Sequence, residues 1–95
     1  MKGYKAFNPD WTCRGKQYAV GEIATQGGKL VMCENGIHFC KELADCFRYY
    51  NMNPENKLAE VEVLGRVLRS NNDYNDSKCC TDKLKVIREL SIAEL

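Results

Sequence analysis

The sequence predicts an α+β fold: one small domain over residues 1–95, with a mostly antiparallel twisted sheet and one main helix over about 41–51. Three observations predict it. Stretches at both ends of the chain alternate apolar and polar residues with the period of two that a strand imposes. Only "KELADCFRYYN" (41–51) carries apolar groups at helical spacing. Turn sequences, of which Glu34-Asn35-Gly36 is the strongest, punctuate the alternating stretches. Strands before and after a single helix leave a helix packed on a sheet as the architecture.

The elements follow in order. "KGYKAF" (2–7) puts Gly3, Lys5 and Phe7 on one face and Tyr4 and Ala6 on the other, a short first strand. "NPDWTCRG" (8–15) is turn chemistry ending at Gly15. "KQYAVGEI" (16–23) reads as a second strand with Tyr18 and Val20 on one side. "TQGGKLVMC" (25–33) is a loop or hairpin feeding a short third strand over 29–33. After the Asn35-Gly36 turn, "GIHFC" (36–40) is a short extended piece. The helix buries Leu43, Phe47 and Tyr50, spaced i, i+4, i+7, with Ala44 and Cys46 alongside, and "MNPEN" ends it.

"KLAEVEVLGRVL" (57–68) is the clearest strand, with Ala59, Val61 and Val63 facing one way and Glu60 and Glu62 the other. Gly65 marks a bulge or a close backbone approach. "RSNNDYNDSK" (69–78) is a polar loop. "CCTDKLKVIREL" (79–90) is a final strand alternating Leu84 and Val86 against Lys83 and Lys85. In "SIAEL" Ser91 and Glu94 have the spacing of a capping box.

Bulk properties exclude several classes. With 44% hydrophobic and 28% charged residues the composition is globular, and a net charge of +1 gives no global basic field for nucleic acid. No apolar run is long enough to span a membrane, and "MKGYKAF" lacks the apolar stretch of a signal peptide. A cytoplasmic location is expected. There, the six cysteines (Cys13, Cys33, Cys40, Cys46, Cys79 and Cys80) are expected to stay reduced and serve as small buried hydrophobes.

Function concentrates attention on "CENGIHFCKELADCFRYYN" (33–51), which holds the only histidine and three cysteines. Cys33, His38 and Cys40, with Cys13 or Cys46, are candidate zinc ligands, but the paired C-x2-C knuckles of structural zinc are missing. Cys40 and His38 share a face if extended, with Asp45 or Glu42 to orient the imidazole, yet no cysteine-protease signature surrounds them. No metal, no cofactor and no catalytic residue is assigned. Ligand-binding or interface roles fall to Trp11, Arg14, Tyr18, His38, Arg48 and Tyr50. Trp11 in a polar turn suits an interface hot spot, and Arg14 in "TCRG" offers a fork for a carboxylate or phosphate.

Two resemblances add context. "NGIHFCKELADCFRYYN" and "LAEVEVLGRV", between Asn35 and Val67, are similar to the core of ADP-ribosyltransferases and poly-ADP-ribose polymerases. Gly36, Ile37 and Phe39 match, His38 stands where that family places a nicotinamide-stacking tyrosine, and only Asp82 or Glu89 is near its catalytic glutamate. End to end, "KGYKAF", "TCRG", "QYAVG", "C..GIHFC", "YY", "EVEVLG" and "K.KVIREL" resemble a small uncharacterised phage and prophage domain. That resemblance implies a viral or mobile-element origin inside a bacterium and supplies no activity; one compact domain without a secure catalytic set leads to the expectation of stoichiometric binding, as an inhibitor of antiviral defence. It would engage a host defence protein, as anti-CRISPR proteins do, or a nucleotide signal in the His38 pocket. A homodimer is allowed, and membrane contact is not expected. The alternatives are a reduced ADP-ribosyltransferase-like core acting on NAD and a zinc-stabilised structural module.

Overall fold

The computed structural model describes residues 1–30, 35–49, 55–69 and 78–91; the side chains of 47–49 and 78 are outside the description. Nine strands and one helix follow the order β1 (Lys2–Phe7), β2 (Thr12–Cys13), β3 (Lys16–Gln17), β4 (Ile23–Thr25), β5 (Ile37–Cys40), α1 (Leu43–Tyr49), β6 (Lys57–Val63), β7 (Val67–Arg69), β8 (Lys78–Thr81) and β9 (Lys83–Glu89) among the described residues. Seven strands form one sheet in the order β4-β9-β6-β1-β5-β8-β7, and β2 and β3 form a separate hairpin. The strand pairings are antiparallel. The α+β expectation, a sheet with one helix, holds at this level.

Apolar clusters sit on two sides of the sheet. Phe7, Ile37, Phe39, Ala59, Val61, Val63, Leu84 and Val86 build the larger one, which Cys13 and Tyr18 of the β2–β3 region cover. Ala6, Cys40, Leu58 and Leu90 build the other, covered by Cys46 and Leu43 of α1. All four residues of β5 are buried, because β5 has β1 and β8 at its sides and both layers above and below it. The predicted alternation in 57–63 is observed: Ala59, Val61 and Val63 enter the core while Glu60 and Glu62 do not. Leu84 and Val86 are buried and Lys83 and Lys85 exposed, as their spacing predicts.

Several predicted elements divide. The stretch 16–23 is not one strand: after Gln17 the chain turns through Ala19–Glu22, with Gly21 at φ 88° and its amide donating to Val86 O at 2.7 Å. Lys16–Gln17 and Ile23–Thr25 therefore belong to different sheets. Lys29 and Leu30 are not in a strand, and the rest of the proposed third strand lies outside the described residues. The helix runs over Leu43–Tyr49: Lys41 and Glu42, predicted within it, form a bend ahead of it, and Tyr50 and Asn51 lie outside the described residues.

Stretches 57–68 and 79–90 each break in two at one shared corner. Leu64 and Gly65 donate their amides to Lys83 O at 2.9 and 3.1 Å. A Cβ at Gly65 would meet Asp82 Oδ1 and come within 3.0 Å of Lys83 N, so the predicted close approach is what the glycine supplies. Asp82 then accepts from the Arg66 backbone amide at 2.9 Å and from Arg66 Nε at 2.8 Å. The corner sends β7 and β8 to the β5 side of the sheet and leaves β6 and β9 on the other.

Gly3 is a second close approach. A Cβ there would stand 2.6 Å from Phe39 Cδ2 and 3.0 Å from Cys40 O, in the packed seam between β1 and β5. Gly3→Ala is expected to cost about 1–3 kcal/mol by overpacking. Urea unfolding checks it, as a lower midpoint with an unchanged slope; an unaltered midpoint would contradict the tight seam.

Candidate functional site

The site begins with the β2–β3 hairpin. Thr12 pairs with Gln17 and Cys13 with Lys16, leaving Arg14-Gly15 as a two-residue loop. Both loop residues have positive φ, 52° for Arg14 and 80° for Gly15, the signature of a type I′ turn. Asparagine and glycine adopt that conformation at low cost, whereas arginine gives up about 1–2 kcal/mol. An arginine held there is a strained residue at a defined place, and such positions cluster at functional sites. Trp11, at φ 65°, precedes the hairpin, and among the described residues these two are the non-glycine residues with positive φ.

Arg14 reaches from the loop to β5, where its Nη1 lies 3.1 Å from His38 Nδ1. A guanidinium only donates, so Nδ1 is the acceptor in this contact. Below this contact sits Lys5, which is 2% exposed. Its Nζ donates to the His38 carbonyl at 2.6 Å and lies 5.5 and 5.7 Å from the ring centroids of Tyr18 and Phe7. Burial lowers the Lys5 pKa, partly offset by the Cys13 thiol and reinforced by repulsion from Arg14. Burial and Cys13 together push the Tyr18 phenol up from its ordinary range.

Between these groups lies a cavity of about 270 Å³. Lys5, Arg14, Lys16 and His38 supply its basic groups, with Cys13, Tyr18, Gln26 and Asn35 completing the polar part of the wall. Among the described residues that line it none is Asp or Glu. Lys16 Nζ also donates to Thr25 O at 2.6 Å, which ties the hairpin to β4 at the cavity's rim. The Asn35 amide braces the opposite rim: it donates to Gly27 O at 2.9 Å and Lys29 O at 2.7 Å, and accepts from Gln26 at 3.0 Å. Asn35 acts here through its side chain, with no positive φ. The neighbouring Glu34 lies outside the described residues.

Of the residues singled out in the sequence, the fold thus brings Arg14, Tyr18 and His38 together. His38, 4% exposed, lines the cavity rather than belonging wholly to the core. Trp11 is elsewhere: half-buried, its ring packs on Phe7 at 5.1 Å, so it is not the exposed hot spot its polar turn suggests. Tyr50 and the side chain of Arg48 lie outside the described residues. Sequence reasoning missed Lys5, Cys13, Lys16 and Asn35 as cavity residues. Lys5 alone left a signal, a lysine on the strand face it shares with Phe7.

The other constellations resolve into structural roles. Glu60 accepts from Lys2 at 3.2 Å and Arg88 at 2.9 Å, contacts that hold its carboxyl below the ordinary value. Cys13, Cys40, Cys46, Cys79 and Cys80 are buried free thiols, and the Cys46 thiol is pushed up by its hydrogen bond with Cys40 and by burial. Among the described residues no group of three or more His, Cys, Asp or Glu could hold a metal ion; Cys33 lies outside them. No helix among the described residues is long and apolar enough to cross a membrane.

Fold and cavity together define a small α+β domain with a site rich in basic side chains between a strained hairpin and its central sheet. The chain belongs to the family DUF7666, a domain of unknown function, whose family model matches residues 1–95. Neither a curated protein nor a solved structure matches it.

Proposed function

We propose that this domain works by stoichiometric binding and that its cavity takes a small anion of the nucleotide type, phosphate end inward. The observation that carries this reading is the cavity wall itself: Lys5, Arg14, Lys16 and His38 line one space. Arg14 provides the fork geometry that phosphate oxygens accept, and Lys16 a point charge beside it. At about 270 Å³ the space suits a phosphate and its sugar, with a base extending toward the rim.

In a phage-encoded setting such a domain would withhold a nucleotide signal from a bacterial antiviral system. Direct blockade of a host defence protein, the other form of the same reading, draws no comparable support from an exposed Trp11, which is packed on Phe7. Enzymatic use of NAD is the competing reading. Its two candidate carboxylates are engaged elsewhere: Asp82 with Arg66, and Glu89 with Lys57 at 3.4 Å. Neither lines the cavity.

Calorimetric titration with inorganic phosphate, AMP and NAD tests this. One-to-one binding that weakens as salt rises is expected for phosphate and AMP, with NAD recovered unchanged. No heat from any of the three at millimolar concentration would sink the reading. Transfer of label from NAD to protein would replace it with the enzymatic one.

A further inference from the structure

We infer that Lys5 is a covalent capture site, whose amine condenses with the carbonyl of a small phosphate-bearing aldehyde or ketone seated in the cavity. The inference rests on the proposed anion site and names the ligand more narrowly.

Lys5 differs from an ordinary anion-binding lysine in three respects. It projects from the central strand β1, not from a rim, and it is 2% exposed. Its surroundings are two aromatic rings, the Cys13 thiol and one backbone carbonyl, which accepts from Nζ at 2.6 Å. Its charged neighbour is a cation, Arg14. Desolvation beside another positive group is the setting in which a lysine amine becomes a nucleophile toward carbonyl compounds. The lowered pKa agrees with this geometry.

Arg14 and Lys16 stand at the same cavity, so one pocket holds an anion clamp and an amine at different depths. A phosphate on the first two presents the remainder of a short ligand to the third. The chemistry balances without an oxidant. The Lys5 lone pair adds to the carbonyl carbon, the carbinolamine forms, and the carbonyl oxygen leaves as water with the two amine protons. An imine joins ligand to Nζ.

Pyridoxal 5′-phosphate is the probe, an aldehyde bearing a phosphate whose imine is coloured. Incubation followed by borohydride reduction and peptide mass mapping is expected to place one label per chain on Lys5. The label should form faster on Lys5 than on exposed lysines, because a lowered pKa raises the neutral, nucleophilic fraction of the amine. Inorganic phosphate should compete. Lys5→Met should lose the label. Should that variant fail to fold, Lys16→Gln, which changes only the rim, should slow labelling of Lys5 while leaving the exposed lysines unaffected. Label spread evenly over exposed lysines, or label retained in full by Lys5→Met, overturns the inference. If phosphate still binds in titration, only the covalent step has failed; if it does not, the anion site has failed with it.

Discussion

Arg14→Asn is expected to separate stability from binding: phosphate and AMP affinity fall about ten- to hundredfold, while the protein stays as stable or gains up to about 1 kcal/mol. The two halves have different physical origins. A charge-assisted hydrogen bond contributes about 1.5–3 kcal/mol, and every 1.4 kcal/mol is a factor of ten in affinity. Arg14 is exposed, so little core packing is lost with it. At φ 52° ahead of Gly15, asparagine relaxes backbone strain that arginine endures. Titration calorimetry and urea unfolding on the same variant measure both. A loss of stability equal to the loss of affinity would mean that Arg14 is a structural residue and that the strain serves no site.

Lys5 governs the second large effect, the dependence of stability on pH. Its folded pKa lies below the ordinary 10.5, so the unfolded chain binds the proton more tightly than the native one. The Lys5 contribution is fully present above pH 10.5 and is lost as pH falls from there to the depressed native value. Stability due to Lys5 therefore rises with pH across that window, with a slope of at most about 1.4 kcal/mol per pH unit for one proton. Two groups oppose it at the alkaline end. Tyr18 and Cys46 have raised pKa values, so the native state requires their protonated forms. Their contributions are present below the ordinary values of 10.0 and 9.0 and are lost as pH rises past them. Subtracting the curve of Lys5→Met from that of the unaltered protein cancels both. The difference should climb with pH up to about 10.5 and be flat beyond; a difference independent of pH would show that Lys5 has an ordinary pKa.

How far the sequence could lead is clearest at Lys5. Alternation in "KGYKAF" placed it on the face of Phe7 before any coordinates, yet periodicity says only which way a side chain points, not what waits there. The core strands were legible for the same reason. Ala59, Val61, Val63, Leu84 and Val86 repeat at period two, and a sheet covered on one face selects that repeat strongly. Strand ends were not. The continuous patterns of 57–68 and 79–90 conceal a corner, since Gly65 and Asp82 come together only when the two segments lie side by side.

The candidate site divides in the same way. Arg14, Tyr18 and His38 stood out by residue type, and turn chemistry marked the loop that carries Arg14. Trp11 stood out as well, and the fold places it against Phe7, half-buried and away from the cavity lining.

By itself, then, the amino-acid order determined the class of fold, the inward faces of its strands and the turn character of residues 8–15. These depend on neighbours two to four residues apart. Tertiary structure decided that β1, the hairpin and β5 meet around one cavity lined by basic side chains, and that Asn35 braces its rim. Those facts join residues as much as 33 positions apart, as the Lys5–His38 bond does, and no local period encodes such a meeting.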